Sequence, residues 1–331
     1  MSTKEKVLKY LEDTDSKYVS GQVLAKNLGF SRTAVWKSIT DLRKEGAQIE
    51  AVTNRGYHLV RKSYKLSKEI IASSLPDLDV YFFDEIDSTN NYCKFLASKD
   101  KSRNALVVSN KQLKGRGRLG RVFESPSGGV YFSLLLNTKK SSVDNLLVTS
   151  AASIAVSRAI QKVCNIETQI KWVNDIYLNS KKVCGILTEG IIDMEAGRIA
   201  AMVVGIGINF VTPKKSFAPE LVPILTSLYE NESKIPLDVS MNELVVTVIV
   251  ELLKIWNNIE DRSFLDEYRK RSNVIHTYVN IIREGKSESA YVEGINASAH
   301  LLVKLDNCDE IVELGTGEIT LRLNNDKIAS I

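Results

Sequence analysis

The sequence predicts an α+β multidomain protein, with an N-terminal winged helix-turn-helix followed by a larger mixed α/β body. Its length of 331 residues exceeds that of a typical single domain. Residues 1–65 carry 13 Lys+Arg against 7 Asp+Glu, a charge of +6, whereas the whole chain sums to +4. After residue 66, short apolar runs alternate with long helical patterns. The charge asymmetry indicates that the first module binds nucleic acid and that the α/β body has a different function.

The first 46 residues have the pattern of three short helices. Ser20 and Ser31 are suitable N-caps, and Gly29 and Gly46 stand where helices are expected to end. Only a short turn, from Gly29 to Ser31, separates the second helix from the third, which is typical of a helix-turn-helix. The apolar positions expected to face inward are Val7, Leu8, Leu11, Val23, Leu24, Leu28, Val35, Ile39 and Leu42.

The third helix and the segment after it carry the residues expected to contact DNA. Side chains on the outward face of this helix are of types that reach bases and phosphates from a major groove. Residues 48–60 alternate as two strands around Asn54-Arg55-Gly56, so Arg55 is expected at the tip of a wing. The predicted DNA-binding residues are Ser31, Arg32, Thr33, Trp36, Lys37 and Arg55. A purely protein-binding unit with a packed Trp36 is the alternative, and the local charge excess favours DNA.

Composition excludes several classes of protein. With 44% apolar and 25% charged residues, the chain resembles ordinary globular proteins, and no apolar run approaches the length of a membrane span. The N-terminus is polar and lacks the apolar core of a secretion signal, which predicts a cytoplasmic location. Cys93, Cys164, Cys184 and Cys308 are far apart and form no C-x-x-C pair, so we expect reduced cysteines and no zinc site.

Residues 66–270 have the pattern of an enzyme-sized mixed α/β domain. Apolar runs predict buried strands at 80–86, 105–110, 130–136, 169–173 and 200–209. Helical patterns cover 141–163 and 241–259, and the polar, proline-containing stretch 212–238 is expected to be a loop.

Four polar clusters accompany these elements: DSTNN at 87–91, NKQLKGRGRLGR at 110–121, KWVND at 171–175 and VVGIGIN at 203–209. Each has an ordinary explanation: a helix cap, a solvated cationic loop, a surface ion pair, and a G-x-G without the third glycine of a dinucleotide fingerprint. Their combination is more informative. Concentrated cations among glycines indicate that an anionic ligand binds there.

The motifs GRGRLGR, KWVND, KKVCGIL and GIGIN, in this order behind a winged helix-turn-helix, closely resemble the bifunctional biotin protein ligases of the biotin operon repressor type. The resemblance covers essentially the whole chain. It implies a central mixed α/β domain resembling class II aminoacyl-tRNA synthetases. It also implies a C-terminal small Src-homology-3-like β-barrel containing EGINASAHLLVKLDN and LGTGEITLR. The implied domains are 1–65, 66–270 and 271–331.

The resemblance implies an ATP-dependent biotin–[acetyl-CoA-carboxylase] ligase, which forms a C–N bond. Biotin and ATP, with magnesium, give biotinyl-5′-AMP and pyrophosphate. Biotin then passes to a lysine of a biotin carboxyl carrier domain of acetyl-CoA carboxylase or pyruvate carboxylase. The adenylate-bound homodimer binds operator DNA and represses the genes of biotin synthesis and transport. Both nucleophiles belong to substrates, so the protein has to position, neutralise and exclude water.

Individual residues match the family motifs by position. The catalytic candidates are Lys182, Arg118 and Asp175. The candidates for binding biotin and ATP are Ser88, Thr89, Asn90, Gln112, Gly115, Arg116, Gly117, Arg118, Arg121, Phe123, Asn174, Lys182, Gly185, Gly205, Gly207 and Asn209. By the resemblance, Lys182 neutralises charge in both steps, and Asp175 holds magnesium or orients the incoming amine.

Two positions depart from the family pattern. Val173 stands where proline is usual in KWVND, and Phe123 stands where a tryptophan usually covers the adenine. Phenylalanine still stacks, with less area, so nucleotide binding is expected to be weaker or to rely on other contacts.

Three other functions stay open from the sequence. The alternatives are a ligand-responsive transcription factor on an inactive ligase fold, a lipoate-attaching enzyme of related fold, and a ligase without repressor activity. The intact motifs, the lysine at 182 followed by Gly185, and the basic N-terminal module favour the biotin ligase and repressor.

Overall fold

The structure is a computed structural model. It describes residues 2–14, 17–44, 46–61, 63–99, 104–138, 145–193, 198–283, 286–306, 310–315 and 318–321. Cys308, the first four residues of the helix expected at 141–163, and residues 322–331 of the expected barrel domain lie outside the described residues. The chain divides into two compact units. One comprises Met1–Ser67 with Ser233–Glu243, and the other Lys68–Glu232 with Leu244–Ile331.

The first unit contains the predicted three helices and wing. The helices are α1 (Thr3–Glu12), α2 (Gly21–Leu28) and α3 (Arg32–Lys44). Strands β1 (Gln48–Val52) and β2 (Gly56–Arg61) pair antiparallel as a hairpin. This arrangement is a winged helix-turn-helix, as the sequence predicts.

The helix ends follow the expected caps. The Ser20 hydroxyl accepts a hydrogen bond from the Val23 amide at 3.2 Å, and the Ser31 hydroxyl accepts one from the Ala34 amide at 3.1 Å. Gly29 ends α2 in the left-handed conformation (φ 70°), which a glycine adopts without steric cost. The turn between α2 and α3 is therefore encoded locally.

The core of this unit confirms the predicted inward positions with one exception. Val7, Leu24, Val35 and Ile39 are among the buried residues of the cluster. Val23, which was expected to face inward, is 43% exposed. Successive helical residues differ by about 100° in direction, so packing of Leu24 and its neighbours turns Val23 to the edge of the buried face.

The second unit is built on a seven-stranded sheet with strand order β3-β4-β5-β9-β8-β7-β6. The strands are β3 (Asp79–Phe83), β4 (Ala105–Ser109), β5 (Val130–Asn137), β6 (Gln169–Lys171), β7 (Asp175–Leu178), β8 (Lys181–Asp193) and β9 (Arg198–Ile208). β3 and β4 pair parallel, and the other neighbours pair antiparallel. The strand expected at 169–173 is shorter than predicted, because the chain turns after Lys171 to begin β7. β7 and β8 were not predicted from the sequence.

Five α-helices follow β2 in the described residues. They are α4 (Lys68–Ser74), α5 (Thr89–Lys99), α6 (Asn145–Cys164), α7 (Met241–Asn257) and α8 (Phe264–Arg271). α5 packs on β4, β5 and β9, and α6 packs on β8 and α8. None of the described helices combines the length and apolar character that a bilayer crossing requires.

The C-terminal part of the second unit is a five-stranded antiparallel sheet of order β13-β12-β11-β10-β14. Its strands are β10 (Tyr278–Arg283), β11 (Lys286–Ile295), β12 (Leu301–Leu305), β13 (Ile311–Leu314) and β14 (Glu318–Leu321). Buried Val279, Val292 and Val303 lie in its core. An antiparallel β-sheet at this end agrees with the sequence prediction.

Candidate active site

The central strands of the large sheet carry glycines where a cavity lies. Gly185 pairs with Gly207, and Leu187 pairs with Gly205. Side chains alternate between the faces of a strand, so the three glycines lie on one face and leave space above the sheet. A cavity of about 330 Å³ occupies this face.

Most of the predicted binding residues meet in this cavity. Its wall includes Ser88, Thr89, Asn90, Gln112, Arg116, Gly117, Arg118, Arg121, Phe123, Asn174, Asp175, Lys182, Gly185, Gly205, Gly207 and Asn209. Gly115 differs. It is buried at the base of the glycine-rich loop, residues 114–123, where an added Cβ would collide with the Phe123 carbonyl and lie 2.6 Å from Ser125 Oγ. Gly115 therefore shapes the loop rather than the cavity wall.

The glycine-rich loop folds back on itself. The Phe123 amide donates to the Gly115 carbonyl at 2.9 Å, and the Gly117 amide donates to the Arg121 carbonyl at 2.8 Å. Leu119 (φ 56°) and Gly120 (φ 75°) form the left-handed tip of the turn. This fold brings Arg116, Arg118 and Arg121 to the cavity.

An ion pair lies on the cavity wall. Lys182 Nζ is 2.7 Å from Asp175 Oδ1, and both side chains are about one quarter exposed, at 24% and 22%. β7 and β8 are adjacent antiparallel strands in which Asp175 pairs with Gly185 and Lys182 pairs with Tyr177, so the ion pair runs diagonally between the strands. Lys182 Nζ also lies 5.7 Å from the centroid of the Phe123 ring. A partly desolvated ammonium in this position provides concentrated positive charge for an anionic ligand.

The β6–β7 turn holds one arginine of the loop. Arg118 Nη1 donates to Asn174 Oδ1 at 3.1 Å, and Asn174 Nδ2 donates to the Ile186 carbonyl at 2.9 Å. Trp172 is buried, and its indole Nε1 donates to the Ala299 carbonyl at 2.9 Å. The indole thus anchors the β6–β7 turn to the turn between β11 and β12.

Phe123 lies across the two glycine-bearing strands. An added Cβ at Gly207 would collide with the Phe123 ring, and one at Gly185 would lie 2.8 Å from it. The ring also meets Tyr131 edge-on, with centroids 6.5 Å apart. The smaller side chain at the position where the family usually has tryptophan is therefore packed against the sheet.

A polar network lines the other side of the cavity. Gln112 Oε1 accepts from the Thr89 amide at 2.9 Å and from the Thr89 hydroxyl at 3.1 Å. Gln112 Nε2 donates to Ser125 Oγ at 2.9 Å. Ser133 Oγ lies within hydrogen-bonding distance of both Thr89 Oγ1 and Asn90 Oδ1, at 2.7 and 2.6 Å. These contacts fix the side chains that face the cavity.

Glu189, which the sequence analysis missed, lies at the end of this network. Its carboxylate accepts from Asn90 Nδ2 at 2.8 Å and from Lys94 Nζ at 2.6 Å, and lies 3.8 Å from Arg116 Nη2. Burial raises the pKa of Glu189, but the bonds from Lys94 and Asn90 and the nearby positive charges outweigh this and lower the pKa overall. Its place on the same strand face as Gly185 is the signal that could have identified it.

The stretch expected to be a loop closes the remaining side. The Lys182 amide donates to the Ile224 carbonyl at 2.9 Å, and Asn209 Nδ2 donates to the Thr226 carbonyl at 3.1 Å. Leu221 and Ile224 contribute apolar surface to the cavity. Their apolar character within a polar loop was the overlooked signal.

The described residues include a cysteine on the cavity wall, Cys184, whose thiol is unsuited to act as a nucleophile. Burial raises the pKa of the Cys184 thiol, and the nearby Lys182 charge lowers it by less. The thiol therefore stays protonated at neutral pH.

In the first unit, the predicted DNA-binding residues form an exposed surface. The outward face of α3 exposes Arg32, Thr33, Trp36 and Lys37, and Trp36 is 60% exposed. Ser31 caps the helix that presents them. Arg55 lies in the turn of the wing, with its guanidinium 5.2 Å from the Tyr18 ring centroid.

Comparison with known proteins agrees with both units. Residues 82–209 match the model of the Biotin/lipoate A/B protein ligase family, and residues 3–58 match that of an HTH domain. The bifunctional ligase/repressor BirA of Escherichia coli (strain K12) is 30% identical over 312 residues, covering 93% of this chain and 94% of the relative. The chain belongs to the bifunctional biotin ligase/repressor family.

Other members of this ligase/repressor family and related structures extend the comparison. The BirA protein of Bacillus subtilis (strain 168) is 39% identical over 227 residues, covering 67% of this chain and 69% of the relative. The biotin protein ligase of Aquifex aeolicus, solved in complex with biotin and ATP, has a TM-score of 0.60 at 27% identity. That alignment covers 74% of this chain and 98% of the Aquifex chain.

Proposed function

We propose that the protein activates biotin with ATP to biotinyl-5′-AMP, transfers biotin to a lysine of a carboxyl carrier domain, and represses transcription. The observation that carries the ligase function is the single cavity in which Lys182, Arg116 and Arg118 meet above a glycine-lined sheet. The full-length similarity to ligase/repressor relatives and the helix-turn-helix match support the two activities together.

In the first step, the biotin carboxylate attacks the α-phosphate of ATP, and pyrophosphate leaves. Negative charge accumulates on the phosphate oxygens, and we assign its neutralisation to Lys182 and Arg118. Arg116 faces the carboxylate in this assignment. Because these cations are already held in place, by Asp175 at 2.7 Å and Asn174 at 3.1 Å, little reorganisation is needed when the charge develops.

In the second step, the lysine amine of the carrier attacks the carbonyl carbon of the mixed anhydride, and AMP leaves. Lys182 serves again, beside the acyl-phosphate linkage, and Asp175 orients the incoming amine. Neither step uses a nucleophile from the protein, which accords with the protonated state of the Cys184 thiol. The glycine-rich loop covers the adenylate and excludes water, which would hydrolyse it.

Ligand assignments follow the two sides of the cavity. Ser88, Thr89 and Gln112 bind biotin, with Gly185, Gly205 and Gly207 forming the floor. Asn174, Asn209 and Phe123 lie on the adenylate side, together with Arg121. Asn209 lines the cavity, and its Nδ2 is held by the Thr226 carbonyl at 3.1 Å.

Magnesium accompanies ATP in this proposal. Mg²⁺ is usually held by one or two carboxylates together with substrate phosphates. Asp175 and Glu124 both line the cavity, and we assign this role to Asp175 because Glu124 already accepts a hydrogen bond from the Ala218 amide. Within the described residues, no group of three His, Cys, Asp or Glu side chains forms a protein-only metal centre. The ion would neutralise phosphate charge when bound.

The finer architecture belongs to the same proposal. The domains are 1–65, 66–270 and 271–331, with a central fold like that of class II aminoacyl-tRNA synthetases and a C-terminal Src-homology-3-like barrel. The protein acts in the cytoplasm. A homodimer forms when the adenylate is bound, and this dimer binds operator DNA through the exposed face of α3 and the Arg55 wing.

Pyrophosphate release tests the ligase directly. We expect release that requires both biotin and ATP, followed by transfer of the label to a carrier domain of acetyl-CoA carboxylase or pyruvate carboxylase. Lipoate is the matched control substrate, and a preference for lipoate would assign the chain to the other branch of its family. Biotin binding without pyrophosphate release would instead favour a ligand-responsive transcription factor.

DNA selected from a random library by the adenylate-bound protein tests the repressor. Affinity should fall steeply with salt, because phosphate neutralisation releases counterions, and Trp36→Ala should weaken binding without changing pyrophosphate release. Sedimentation with and without biotin and ATP tests the dimer. A flat salt response, or self-association that ignores the ligands, would contradict this part of the proposal.

A further inference from the structure

A partly buried carboxylate lies behind the proposed biotin site and is not part of the cavity wall. Glu189 lies on β8 two residues after Leu187 and on the same face of the sheet, and its side chain is 20% exposed. It contacts α5 through Asn90 and Lys94, and approaches the glycine-rich loop through Arg116. One side chain therefore joins three of the elements that form the site.

The carboxylate determines the orientation of a buried carboxamide. Asn90 is 5% exposed, and its Nδ2 donates to Glu189 Oε2 at 2.8 Å and approaches the Leu187 carbonyl at 3.4 Å. If the carboxamide rotated by half a turn, Oδ1 would face that carboxylate and that carbonyl with no proton between them. The electrostatic repulsion keeps Nδ2 toward Glu189 and Oδ1 toward Ser133.

The orientation of Asn90 passes to residues on the cavity wall. Ser133 has one hydroxyl proton, shared between Asn90 Oδ1 and Thr89 Oγ1. The Thr89 hydroxyl in turn contacts Gln112 Oε1 at 3.1 Å. Gly205 is part of the same arrangement, because an added Cβ there would collide with the Asn90 carboxamide. A reversed carboxamide would place a donor against Ser133 Oγ and direct the Ser133 proton to Thr89 alone, and Thr89 lines the cavity.

We infer that Glu189 is a positioning residue for biotin binding, acting through the Asn90 carboxamide and through Arg116; this rests on the proposed ligase function. A simpler role, as a structural ion pair with Lys94, predicts a loss of stability alone. The lowered pKa of Glu189 agrees with the positioning role, because the ionised carboxyl has only acceptors to offer to Asn90 and Lys94.

Steady-state pyrophosphate release on the full chain distinguishes the two roles. Glu189→Ala should raise KM for biotin roughly tenfold, the effect of losing one hydrogen bond to a charged group, while kcat and KM for ATP stay within about twofold. Glu189→Gln keeps one acceptor for Asn90 and should raise KM for biotin less. Thermal denaturation of each variant records the loss of stability separately.

An exchange of the two groups makes the test independent of folding defects in any single variant. Asn90→Asp places two carboxylates face to face and should raise KM for biotin more than Glu189→Gln does. The double variant Asn90→Asp/Glu189→Gln restores one carboxylate and one carboxamide, so its KM should fall below that of Asn90→Asp alone. Glu189→Gln should therefore raise KM for biotin in the wild-type background and lower it in the Asn90→Asp background.

Glu267→Gln is the matched control, because this carboxylate is also partly buried and pairs with two arginines at 2.6 and 2.8 Å, away from the cavity wall. It should lower stability and leave KM for biotin unchanged. Additive effects of the Asn90 and Glu189 substitutions, or a Glu189→Ala variant altered in stability alone, would overturn the positioning role. Wild-type protein that releases no biotin-dependent pyrophosphate would refute the proposed function itself.

Discussion

Replacement of Lys182 by methionine tests the central electrostatic element of the site. The substitution removes a cation that lies 2.7 Å from Asp175 while keeping most of the side-chain volume. A unit charge about 4 Å from developing negative charge contributes about 4 kcal/mol at an effective dielectric constant of about 20. Because Asp175 offsets part of this field, we expect adenylate formation to slow by roughly 10²- to 10³-fold, the usual effect of losing one preorganised donor.

Single-turnover pyrophosphate release with saturating biotin and ATP measures this rate. Lys254→Met is the control: this lysine is also ion-paired, with Glu251 at 3.1 Å, but its side chain is 64% exposed. We expect the rate of the control to stay within about twofold of wild type, because Lys254 is not part of the cavity wall and its exposed ion pair contributes at most about 1 kcal/mol to stability. A Lys182→Met rate within a few-fold of wild type would remove this residue from the mechanism.

Three further predictions concern the retention of the adenylate, the packing of the Phe123 ring and the pH dependence of stability. Arg118→Gly should release adenylate into solution, seen as promiscuous lysine labelling of added albumin; labelling confined to the carrier would contradict this. Gly207→Ala should displace the Phe123 ring. KM should rise several-fold for ATP, since aromatic contacts contribute about 1 kcal/mol, and also for biotin, because Gly207 belongs to the proposed biotin floor; an unchanged KM for ATP would exclude Phe123 from nucleotide binding. Burial raises the pKa of Glu267, but hydrogen bonds from Arg158 and Arg271 outweigh the effect of burial and leave the pKa lowered. A carboxyl whose pKa is lower in the folded than in the unfolded state stabilises the folded protein at pH values above its unfolded-state pKa. This stabilisation is lost as the pH falls through the folded-state pKa. The difference in unfolding free energy between wild type and Glu267→Gln should therefore be constant at neutral pH and shrink below about pH 4 in urea titrations; a difference that grows in acid would refute the assignment.

Much of the fold was predictable because its signals are local. The caps at Ser20 and Ser31 and the left-handed Gly29 depend on neighbouring residues alone, and the structure confirms them. The missed strands β7 and β8 are different. They begin directly after polar turns, and their pairing stabilises sequences that lack a long apolar run.

The candidate site divides in the same way. Its loops and turns carry short motifs, so residues such as Arg118 and Lys182 were identifiable before any geometry was known. Leu221 and Ile224 carry no motif and lie in a polar, proline-containing stretch. Their contribution appears only when the chain returns to pair with Lys182.

The sequence by itself determined the helix-turn-helix, the cationic loop and the membership of a ligase/repressor family, because spacing along the chain encodes all three. The tertiary structure alone decided which distant groups meet. Asn90 and Glu189 are 99 positions apart, and Trp172 and Ala299 are 127 apart. Such contacts depend on strand register and on how helices pack against the sheet, and a shift of one residue would turn Glu189 to the opposite face. The sequence therefore shows which chemistry is present, and the register of β8 decides which side chains support it.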